Sequence, residues 1–137
     1  MRFEGRIWKD GNHWLVEVPE LGAMTQGRTR DEAYEMIKDL VETMANEPTF
    51  EVTVHRSSAD GFEISANDVK ILVALLLRRQ REKHGVSLAE AARRLDQKSR
   101  NAYARYEHGQ TVPTVEKLEK LLKAIAPDQE LVWRLAR

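Results

Sequence analysis

The spacing of hydrophobic residues changes near Ser65, and the change limits what this chain can fold into. Before it, apolar side chains mostly recur every second residue; after it they recur every three or four. Phe3, Gly5 and Ile7 share one side of a first strand over 3–8. Trp14, Val16 and Val18 share one side of a second, His13–Val18. Lys9-Asp10-Gly11-Asn12 between them holds the Asp-Gly and Gly-Asn pairs that favour a hairpin. Residues 19–27 contain a proline and two glycines and read as a loop. Thr29-Arg30-Asp31-Glu32 is a capping box, in which the hydroxyl accepts from the Glu32 amide and the carboxylate returns to the Thr29 amide. Ala33, Met36, Ile37, Leu40, Val41 and Met44 follow at helical spacing, and Glu47-Pro48 ends the helix. Phe50, Val52 and Val54 return to alternation, as do Phe62 and Ile64 beyond a turn at 57–61. The first half therefore predicts β-β-α-β-β, a small antiparallel sheet with a helix on one face.

The second half reads as helices throughout. Ser65 or Asn67 caps a helix from near Asp68 to about Lys83, closed by Gly85. Ser87-Leu88-Ala89-Glu90 is a second capping box and opens a helix over 88–95. After the turn Asp96-Gln97-Lys98, Ser99 caps a helix over 100–107, closed by Gly109. Pro113-Thr114 opens a fourth helix that carries Leu118, Leu121, Leu122 and Ile125 on one face and stops at Pro127. Leu131, Val132, Trp133 and Leu135 predict a last helical turn against the core. The fold class is α+β, with a sheet unit over 1–65 and an all-helical bundle over 66–137. Two short helices across a tight turn within such a bundle make a helix-turn-helix.

Charge divides at the same place. The chain has no net charge, yet residues 1–65 hold 7 Lys and Arg against 13 Asp and Glu, while residues 66–126 hold 13 against 7. An acidic half suits a cationic partner and a basic half suits nucleic acid. The absence of cysteine excludes disulfides, thiolate nucleophiles and Cys-ligated metals, and fits a reducing cytoplasm. The longest apolar run, Ile71 to Leu77, is far too short to span a membrane. No signal-peptide-like stretch opens the chain.

No catalytic constellation is visible. His13 and His55 lie far apart without a surrounding motif, and Glu4, Glu17, Asp31, Asp39 and Asp60 are scattered. The expectation is a binding protein rather than an enzyme, with no metal and no cofactor.

Tyr103 and Tyr106, three apart and large, are expected to face the bundle. That places Arg100, Asn101, Ala104 and Arg105 outward on the recognition helix. Arg matches a guanine edge, Asn an adenine edge, and Ala a thymine methyl. Gln97, Lys98 and Ser99 stand at the helix entrance, where phosphate contacts are expected. Glu107 reads as structural. The helix from Asp68 is apolar all round at Ile71–Leu77, so one side needs cover beyond the bundle. Either the N-terminal half or a second copy supplies it; the dimer reading, through Ile71 and Leu75, suits paired recognition helices in neighbouring grooves.

The stretch Leu77-Arg78-Arg79-Gln80-Arg81-Glu82, then 85–95, then Tyr103-Ala104-Arg105-Tyr106-Glu107-His108-Gly109 and Pro113-Thr114 resembles the phage-repressor-like helix-turn-helix family. Leu88 stands where that family usually has a backbone-contacting Gln, and the turn after Leu95 is one residue longer. The run 98–107 resembles the version found on HicB-type antitoxins. In the first half, 18–27 followed by Thr29-Arg30-Asp31-Glu32-Ala33 resembles the HicB N-terminal domain, a partial ribonuclease-H-like fold. The resemblance implies a type II antitoxin. Its N-terminal domain would neutralise a small basic HicA-type toxin that cleaves mRNA, and its C-terminal domain would repress its own operon by binding operator DNA. The rival readings are a phage-type repressor with a ligand-sensing or oligomerising N-terminal domain, and a ribonuclease-H-like nuclease.

Overall fold

A computed structural model describes residues 1–96 and 100–136. The chain is α+β; the described residues form five antiparallel strands and five α-helices. The strands are β1 (Phe3–Asp10), β2 (His13–Val18), β3 (Ala23–Gly27), β4 (Val52–Arg56) and β5 (Gly61–Ala66), in the order β3-β2-β1-β5-β4. The helices are α1 (Arg30–Ala45), α2 (Val69–Lys83), α3 (Leu88–Arg94), α4 (Arg100–Glu107) and α5 (Val115–Ile125). No helix among the described residues is long and apolar enough to cross a membrane.

The segment 19–27 corrects the sequence reading. It is not all loop: Pro19–Leu21 forms a 3-10 turn, Gly22 adopts a left-handed conformation, and Ala23–Gly27 returns as β3 beside β2. The first half is therefore β-β-β-α-β-β. Gly27 ends β3 directly beneath the start of α1. A Cβ there would lie 2.4 Å from the Ala33 backbone nitrogen, so only glycine permits this approach. Gly27→Ala is expected to cost about 1–3 kcal/mol through overpacking against backbone; urea denaturation followed by circular dichroism measures it.

Thr29 caps α1 by accepting from the Glu32 amide at 3.0 Å. The Glu32 carboxylate returns one residue earlier than expected, accepting from the Arg28 amide at 2.9 Å. The helix ends at Asn46 in a left-handed conformation, before Glu47-Pro48. Its buried face is Ala33, Tyr34, Ile37 and Val41, whereas Met36 is exposed. Tyr34 meets Phe62 edge to face, with ring centres 5.4 Å apart.

Neither Ser65 nor Asn67 caps α2. Asp68 does, accepting from the amides of Lys70 and Ile71. Asn67 instead accepts from the Glu51 amide and donates to the Thr49 carbonyl, fixing the chain before β4. α2 packs on α1 and the 3-10 turn as well as on α4 and α5. Arg79 Nε donates to the Leu21 carbonyl at 2.8 Å, and Gln80 Nε2 to the Glu20 carbonyl at 2.7 Å. One hydrophobic core consequently runs from Ile7, Val16 and Ile64 in the sheet, through Leu72 and Leu77, to Leu121 and Ile125. Beyond α5 the chain is irregular. Of the four residues expected against the core, Leu131 is half-buried and packs there, whereas Val132, Trp133 and Leu135 are exposed and no helical turn forms.

Candidate nucleic-acid interface

The bundle that presents α4 is built from small residues, caps and a buried ion pair between α2 and α4. Ser87 caps α3 by accepting from the Glu90 amide at 3.0 Å. Ala91 and Ala92 are buried on α3, and Tyr103 and Ala104 on α4, so the two short helices pack closely. Thr114 caps α5, whose Leu118, Leu121, Leu122 and Ile125 complete the core. Arg81 on α2 holds the far end of α4. Its Nε donates to Glu107 Oε1 at 2.6 Å, its Nη2 to Oε2 at 3.1 Å, and its Nη1 to the Val86 carbonyl at 2.8 Å. Both side chains are largely buried. One guanidinium thus fastens the α2–α3 connection and the recognition helix together. The carboxylate holds the Arg81 pKa above its ordinary value, and burial pushes the Tyr103 hydroxyl well up, with Glu107 adding to it.

On α4, Arg100, Asn101 and Arg105 are exposed. Asn101 and Arg105 are one helical turn apart, so they stand one above the other on the outer face. Arg100 is exposed at the first turn. Ala104 does not join them: it is 6% exposed and belongs to the inner face. The reason is Glu107. Tyr103 and Glu107 define the buried direction, and at about 100° per residue Ala104 falls on the same side. Tyr106 is half-buried at the rim of that face, and Ala102 is the half-exposed small residue. Gln97, Lys98 and Ser99 lie outside the described residues.

The basic residues near α4 are not equivalent. Arg93 and Arg94 both bond Glu90, whose pKa they lower to about 2. Arg94 also donates to the Ala124 carbonyl at 2.8 Å, tying α3 to α5. Arg100 and Arg105 have no ion pair among the described residues. They are therefore free of the ion pairs that occupy Arg93 and Arg94. Leu88 packs against the core, so the first position of α3 supplies packing in place of a backbone contact. The engagement of Glu90 with two arginines was not legible in the capping box, although the i+3 and i+4 spacing signals it.

The apolar girdle of α2 is covered by its own chain. Leu75 is 3% exposed, and of the two dimer candidates only Ile71 is partly exposed. It lies in a groove with Ala45, Ala74, Arg78 and Gly109. Arg78 donates to the Met44 carbonyl, closing α2 on α1. The cover comes from α1 and the 3-10 turn, which the all-round apolar pattern could not distinguish from a second copy.

Residues 77–126 match a helix-turn-helix family model, well under half of the chain. The match spans the second half of α2 through α5 and takes in α4. This segment is a DNA-binding helix-turn-helix, and it suggests a role in transcription regulation. A search of curated proteins found no match.

Proposed function

We propose that the chain is an antitoxin of HicB type. Residues 1–65 bind and neutralise a small basic HicA-type toxin, and residues 66–137 repress the operon by binding operator DNA. One observation carries this: a DNA-binding helix-turn-helix of excess positive charge shares its chain with a sheet unit of excess negative charge. Opposite potentials steer a basic, RNA-cleaving partner to the sheet unit and favour the right pairing. The meander β1–β3, α1 and the returning strands support the partial ribonuclease-H-like reading of that unit. In this reading the chain acts in the cytoplasm by binding alone, without metal, cofactor or catalysis. Arg100, Asn101 and Arg105 read bases, and Gln97, Lys98 and Ser99 meet phosphates. The test is co-expression with a short basic reading frame beside the gene, whose presence the antitoxin reading requires. Growth arrest by that frame, relieved by this chain, is expected. Arrest that persists contradicts the antitoxin role.

Self-association belongs to the same reading, because two copies place two recognition helices on one operator. Ile71, half-buried in the α2 groove, is the side chain to probe. Ile71→Asp is expected to shift the mass in light scattering from dimer or tetramer toward monomer while circular dichroism stays folded, since an interface opens rather than bury an unpaired carboxylate. An unchanged mass in the folded variant counts against that interface.

A further inference from the structure

The sheet face turned away from α1 carries an ion cluster that the helix-turn-helix does not use. Register places Glu4 on β1 opposite Glu63 on β5, and Glu63 opposite His55 on β4. Glu63 is only 8% exposed, although no helix among the described residues covers this face. Two arginines cover it. Arg2 Nη1 donates to Oε2 at 3.0 Å, and Arg134, from the segment after α5, donates to Oε1. Arg134 also reaches Glu4 Oε1 at 3.1 Å. The same segment is held at its other end by Asp128, whose Oδ1 lies 2.6 Å from His84 Nε2 at the end of α2. Between these anchors it has no regular structure; Leu131 packs against the core, and Val132 and Trp133 are exposed. Residues 128–136 therefore run as a strap from the helical bundle to the outer sheet face.

The anchor on the sheet is poised rather than locked. The Arg134 side chain is more than half exposed, so its ion pairs are screened and individually weak. A guanidinium is nonetheless the group that this carboxylate pair recognises, through several donors in a planar fork. We propose that residues 128–136 form a releasable strap over the outer sheet face, and that an arginine-bearing partner docks there by taking the place of Arg134. The identity of the partner rests on the antitoxin reading; the strap itself does not. Docking of the partner would free the tail that continues from the DNA-binding bundle, linking the two halves.

The test uses the full chain with Trp8→Phe and Trp14→Phe, so that Trp133 alone reports on the strap by fluorescence anisotropy. The probes are hexa-arginine and, as control, hexa-glutamate at low salt. In the parent, Trp133 is expected to be restrained. Arg134→Gln is expected to abolish the restraint, and Arg134→Lys to restore part of it. Hexa-arginine should bring the parent to the Arg134→Gln value, and hexa-glutamate should not. Equal anisotropy in the parent and Arg134→Gln overturns the strap. A restrained parent that hexa-arginine does not move, or that hexa-glutamate moves equally, overturns the exchange. Each of these outcomes is separate from failure of the antitoxin reading, which the growth experiment detects independently.

Discussion

Glu107→Ala is expected to destabilise the protein by about 3–5 kcal/mol, because it strands the largely buried Arg81 guanidinium without its carboxylate. Little else compensates: of the bonds Arg81 makes, only the one to the Val86 carbonyl survives. The effect should be largest around α4, so DNA binding fails together with stability. Replacing both partners with apolar residues, Arg81→Met with Glu107→Leu, should cost less than the single change, since no charge is then left unpaired. Urea denaturation of the three proteins checks both statements. A loss for Glu107→Ala below about 1 kcal/mol, the range of an exposed pair, contradicts the role assigned to this fork.

The second large effect falls on DNA recognition. Arg100→Ala and Arg105→Ala should each cost about 1–3 kcal/mol of specific binding where the side chain makes a bidentate base contact, and Asn101→Ala the same. With additive losses, combining the two arginine changes should reduce the preference for operator over scrambled DNA by about thirtyfold or more. Stability should barely move, because both side chains are exposed and neither makes an ion pair among the described residues. Affinities for both DNAs at two salt concentrations separate lost base contacts from lost phosphate contacts, since only the latter reduce the salt slope.

Much of the architecture is legible because local signals are strong. β2 is bounded by Asn12 and Pro19 and carries Trp14, Val16 and Val18 on one side, and α5 has a Thr cap and four core residues on one face. β3 was missed because its buried residues, Ala23 and Gly27, are too small to mark a hydrophobic alternation. The face of α4 was set by its two tyrosines, but a buried carboxylate decides it, and that requires Arg81 from another helix. Leu131, Val132, Trp133 and Leu135 all look like core because they are apolar, yet of these only Leu131 packs there. Their segment is held at Arg134 by Glu4 and Glu63, carboxylates distant in sequence, whose pairing no periodicity shows. The same limit applied to α2: its pattern demands cover, and only the contacts of α1 and the 3-10 turn identify what provides it.

Two functions on two surfaces of one chain is the central claim, and separating them in the intact protein tests it most directly. Cutting the chain near residue 65 would instead divide the shared core around Leu72 and Ile64. The measurement is co-expression of the small basic protein that the antitoxin reading requires beside this gene with either the parent or Arg100→Ala/Arg105→Ala, alongside a reporter driven by the operon's own promoter. Both proteins are expected to restore growth, and only the parent to silence the reporter. Growth lost together with repression in the variant, or a variant that still silences the reporter, would contradict the central claim.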